Sequence, residues 1–79
     1  MAKVRGFEVG VQDVRPHRSE VDCFHQVLQA EDGSTLVHLS TFGSDQRQSK
    51  PKSSQVLQLD ERAAAELIQI LRSAFPSVG

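Results

Sequence analysis

Residues 21–42, Val-Asp-Cys-Phe-His-Gln-Val-Leu-Gln-Ala-Glu-Asp-Gly-Ser-Thr-Leu-Val-His-Leu-Ser-Thr-Phe, decide how this chain is read. Two runs rich in β-branched and aromatic residues, 21–29 and 35–42, flank Glu31-Asp32-Gly33-Ser34. Asp-Gly between such runs is a strong hairpin signal, because the turn needs positive φ values that Gly and Asp tolerate. A two-residue Asp32-Gly33 loop would set Glu31 opposite Ser34 and fix the faces. Val21, Cys23, His25, Val27, Leu36, His38, Ser40 and Phe42 would then share one face, and Phe24, Leu28, Val37, Leu39 and Thr41 the other. A loop one residue longer would slip the register and mix these sets.

Upstream of the hairpin, Phe7, Val9 and Val11 alternate with Glu8, Gly10 and Gln12. That is the period of a strand with one buried face, so Val4 to Val14 is the expected first strand. Pro16 and the polar stretch 17–20 form a connection. Downstream, residues 43–54 (GSDQRQSKPKSS) contain no apolar side chain, which predicts a flexible, exposed basic loop. Gln55 to Leu59 reads as a short fourth strand with Leu57 and Leu59 inward and Gln58 outward. Asp60 stands at an N-cap position, and Glu61 suits the positive end of a helix dipole. Ala64, Leu67, Ile68, Leu71, Ala74 and Phe75 recur at helical spacing until Pro76, which predicts an amphipathic helix over 61–75.

The expected fold is therefore α+β: a four-stranded antiparallel sheet followed by one C-terminal helix packed on one face (ββββα), in one domain spanning 1–79. One helix covers one face of such a sheet, so the other is open to water, a second subunit or a ligand.

Composition narrows the function. Nine basic and ten acidic side chains leave a formal net charge of −1, so any electrostatic role is local rather than that of a global polycation. The lone Cys23 excludes an internal disulfide framework, and no run of about 18 apolar residues spans a bilayer. Cytoplasm is the expected setting. A core this small, with no staple, makes a homodimer the expected state.

The stretch from Lys50 to Phe75, KPKSSQVLQLDERAAAELIQILRSAF, resembles the end of a repeat in the Pur-alpha and transcriptional positive-cofactor superfamily of single-strand nucleic-acid binders. Leu57-Gln58-Leu59 is similar to that superfamily's last strand, Asp60 to its cap, and Ala64-Ala65-Glu66-Leu67 with Leu71 and Phe75 to its helix. The resemblance implies a ββββα domain that pairs into dimers and lays single-stranded DNA or RNA across its strands and hairpin loops.

Such binding needs a basic track for phosphates and flat side chains for bases. Arg47, Lys50 and Lys52 against Asp45 give the long loop a local excess of positive charge, and Lys3 and Arg5, with Arg15 and Arg18, do the same near the N-terminus. His38 and Phe42 are candidate stacking platforms, with Phe7 a further one. Segment 20–32 holds Glu20, Asp22, Glu31 and Asp32 and no Lys or Arg, so charge is segregated. The alternative is a protein-interaction or regulatory module that never touches nucleic acid.

Other chemistry finds little support. Cys23, His25 and His38 could share a face and suggest zinc, but residues two apart on a strand sit about 7 Å apart, too far for neighbouring tetrahedral ligands. The same spacing separates Cys23 as nucleophile from His25 as base. The Glu31/Asp32 and Asp60/Glu61 pairs belong to a turn and a cap. No cofactor, metal or catalytic constellation is expected, and no enzymatic activity.

Overall fold

A computed structural model describes residues 2–42 and 53–79. The chain forms β1 (Ala2–Val4), β2 (Cys23–Gln29), β3 (Thr35–Phe42), β4 (Ser53–Leu59) and α1 (Glu61–Ala74). The strands make one four-stranded sheet in the order β1-β4-β3-β2, so the architecture is α+β with the ββββα sequence of elements. The sheet is mixed, not purely antiparallel. β2 with β3 and β3 with β4 run antiparallel, but β1 pairs parallel to β4, with Ala2 opposite Leu57 and Val4 opposite Leu59.

The first strand is thus Ala2–Val4 rather than Val4 to Val14, and residues 5–22 enter no regular element. Alternation in the sequence marks a chain that can lie flat in a sheet; it does not supply a neighbour to lie against. Most of the proposed basic loop, residues 43–52, lies outside the described residues. Its last two positions, Ser53 and Ser54, open β4.

The β2–β3 hairpin is present, but its loop is Glu31-Asp32-Gly33. The Ala30 N–H donates to the Ser34 carbonyl at 2.8 Å, and the Gly33 N–H donates to the Ala30 carbonyl at 2.9 Å. Gly33 adopts φ 89°, the left-handed conformation that closes three-residue loops. Asp32 Oδ1 accepts from the Ser34 backbone N–H at 3.0 Å and from Ser34 Oγ at 2.7 Å, which fixes the turn. Because the loop holds three residues, Gln26 stands opposite His38 and Phe24 opposite Ser40. Every residue of one strand therefore faces a different partner from the one a two-residue loop would give it.

Two faces follow from the register. The Val37 face carries Cys23, His25 and Val27 of β2, Val37, Leu39 and Thr41 of β3, Leu57 and Leu59 of β4, and Val4 of β1. The His38 face carries Phe24, Gln26 and Leu28, then Leu36, His38, Ser40 and Phe42, then Val56 and Gln58, and Lys3.

Helix α1 begins as its cap predicts. Asp60 has an extended backbone, and its Oδ1 accepts from the Ala63 N–H at 2.9 Å. The helix meets the sheet at β4, the strand it follows, and there Ala63 is completely buried while Ala64 and Leu67 are half-buried. Further along, the apolar stripe leaves the protein: Ile68, Leu71 and Phe75, expected to be inward, are exposed. Among the described residues only Leu36, Leu59 and Ala63 form a buried apolar core, joined by Ser40. No helix among the described residues is long and apolar enough to cross a membrane.

Candidate nucleic-acid interface

The register builds a polar row across the whole sheet. Lys3 stands beside Gln58, Gln58 beside His38, and His38 beside Gln26, one residue from each strand in turn. All four belong to the His38 face. Gln58 Nε2 and His38 Nδ1 lie 3.0 Å apart. That distance is a hydrogen bond between the two side chains. The two half-buried central members thus hold each other in place, while Lys3 and Gln26 at the ends are exposed.

Beside this row the same face carries two aromatic rings. Phe24 and Phe42 meet edge to face, centroids 5.2 Å apart and planes at 78°. Ser40, directly opposite Phe24 in the register, is buried. Phe24 remains exposed and Phe42 half-buried. Phe42 ends β3, from which the chain enters the segment bearing Arg47, Lys50 and Lys52, three candidate residues that lie outside the described residues.

The structure therefore brings Lys3, His38 and Phe42 to one face and adds Phe24, Gln26 and Gln58. Phe24 had been assigned to the opposite face, and the signal that would have found it is the loop length. Arg5 lies just beyond β1 and lines a groove with Lys3, Phe7, Arg62 and Glu66. Arg62, in the first turn of α1, carries no specific signal in the sequence beyond an extension of the polar surface; in the structure it joins Lys3 and Arg5 as a third cation there. Glu8 lines the same groove, so its charge is mixed.

The supposed Cys23, His25 and His38 cluster is split by the register. Cys23 and His25 lie on the Val37 face and His38 on the other. Among the described residues no group of three His, Cys, Asp or Glu side chains is placed to hold a metal ion. Cys23 borders a shallow apolar depression on the Val37 face with Leu39, Thr41, Gln55 and Leu57.

The fold and this face define a small α+β chain with a mixed sheet, one of whose surfaces combines paired aromatics with a row of hydrogen-bonding side chains. No family model, no curated protein and no solved structure matches the chain.

Proposed function

We propose that this chain is a homodimeric binder of single-stranded nucleic acid, DNA or RNA, with little sequence preference. The observation that carries the reading is the Phe24–Phe42 pair on the same face as the Lys3–Gln58–His38–Gln26 row. Aromatic faces accept any base by stacking, and amides, imidazole and ammonium can reach base edges or phosphates. Lys3 and Arg5 at one edge, with Arg47, Lys50 and Lys52 in the segment after Phe42, supply the cations for the backbone. Charge elsewhere supports this division, since the acidic residues of 20–32 lie around β2. The dimer is supported by the thin core, which leaves Ile68, Leu71 and Phe75 uncovered in the single copy. We place the protein in the cytoplasm on the strength of its lone thiol. No catalytic step is part of this reading.

The test is a titration of labelled oligonucleotides at several salt concentrations. Affinity should fall with salt, with a slope of roughly 0.7 per phosphate contact for single strands. Lys50→Ala with Lys52→Ala should flatten that slope. Absence of salt-sensitive binding at micromolar protein overturns the proposal. The exposed helix stripe favours the second reading, a protein-interaction module; such a module would keep its partner after nuclease treatment.

A further inference from the structure

Residues 5–22 run from one edge of the sheet, β1, to the other, β2. Among the described residues none of them joins a ladder or a backbone hydrogen bond. Yet Phe7, Val9 and Val11 keep strand alternation, and Val9 and Val11 are 93% and 94% exposed. A segment patterned for a sheet has no sheet.

The β2 edge presents the complementary vacancy. Its seven residues, CFHQVLQ, contain no charge, no Pro and no Gly, the devices by which natural edge strands usually discourage pairing. It also ends an apolar row that crosses every strand: Val4, Leu59, Val37, Val27. Val27 is 67% exposed, and nothing follows it in the row.

We infer that residues 7–13 of one copy add antiparallel to β2 of a second copy, with Val9 opposite Val27, and reciprocally. The inference rests on the homodimer reading above. In this register Val9 completes the apolar row, Val11 faces His25, Arg5 faces Glu31, and Arg15 falls between Glu20 and Asp22. The cations that flank the arm, Arg5 and Arg15, thus meet the acidic residues that flank β2, while the arm's own Glu8 and Asp13 face the uncharged Leu28 and Cys23. The simpler alternative, β2 on β2 about Gln26, sets Glu20 opposite Asp32 at both ends, and like charges oppose it. Pairing within one copy is opposed by placement. A methyl at Gly6 would meet Glu66 Oε1 at 3.4 Å, and Phe7 to Gly10 line a groove with Gln69 and Ile70. The arm therefore starts beside its own helix and β1, three strand spacings, roughly 14 Å, from its own β2.

Two measurements on the full chain decide it. In a Cys23→Ser background, copies carrying Val9→Cys and copies carrying Val27→Cys are mixed and mildly oxidised; opposed strand positions lie within disulfide reach. A cross-linked species of twice the chain mass is expected. A chain carrying both cysteines that instead closes at monomer mass at high dilution shows pairing within one copy and overturns the inference. Separately, Val9→Asp with Val11→Asp alters side chains already in water, so the single copy keeps its fold. It should raise the dimer dissociation constant at least tenfold by sedimentation. An unchanged dimer overturns the exchange while leaving the homodimer intact; a wild-type chain monomeric at every concentration overturns both.

Discussion

Phe24 and Phe42 touch edge to face although they sit on different strands and 18 residues apart. Their contact exists because the loop between β2 and β3 has three residues, and the two rings, nearly perpendicular to each other, form an apolar patch beside the polar row.

If the exposed Phe24 ring stacks on a base, its flat face matters more than its hydrophobicity. Phe24→Leu keeps an apolar side chain in the sheet and removes the ring. We expect it to weaken oligonucleotide binding by about 1–3 kcal/mol, the usual range for one base–aromatic stack, while the denaturation midpoint shifts little. Equal affinity of the variant and the parent, in the same salt, would remove the rings from the interface.

Gly33 takes a backbone conformation that a Cβ disfavours, with open space around it. Gly33→Ala should therefore destabilise the protein through backbone strain alone, by about 1–2 kcal/mol. Urea denaturation tests this: the midpoint should fall with an unchanged slope. A midpoint equal to that of the parent means the turn relaxes to another form.

The Asp32 carboxyl is held below its ordinary value, first by the Ser34 backbone N–H and then by the Ser34 hydroxyl. Its folded value lies below its unfolded value, so this contribution is complete above the ordinary aspartate range, near pH 4, and disappears as pH falls through the folded value. Stability measured from pH 5 down to pH 2 should fall less steeply in Asp32→Asn than in the parent, because the amide oxygen still accepts but no longer titrates. Parallel curves would show that the turn carboxylate contributes nothing to acid sensitivity.

At the head of α1, two substitutions separate capping from packing. Asp60→Ala removes the acceptor for the Ala63 N–H and should cost about 1 kcal/mol. Ala63→Leu forces a larger side chain into a position with no exposed surface and should cost about 1–3 kcal/mol. Calorimetry on both variants would show a lowered melting temperature; a neutral Ala63→Leu would mean that the junction of β4 and α1 is loosely packed.

The elements whose signals are local were legible before the structure. Asp60 capping α1, Asp32-Gly33 turning the hairpin, and Leu57-Gln58-Leu59 as a strand each depend on residues within one turn or ladder. What escaped depends on counting or on distant partners. One extra loop residue between Ala30 and Ser34 exchanged the neighbours of Phe24 and His38, and composition cannot tell a two-residue loop from a three-residue one. The Val9 and Val11 alternation named a strand without naming its neighbour, and three residues near the N-terminus took the place beside β4. The helix stripe was read as apolar from Ala64 onward, but the fully buried position is Ala63, outside that stripe, and of the stripe itself only Ala64 and Leu67 are half-buried.

The parallel union of β1 with β4 has a kinetic side. The opposite number of Ala2, Leu57, follows 55 residues later, after the hairpin and the segment beyond it have been synthesised. Such a long closure is paid for late, since distant pairings are slow to form. Strand β1 should therefore be the last to acquire amide protection during refolding, and while the intervening residues are synthesised it waits for a neighbour that has yet to emerge.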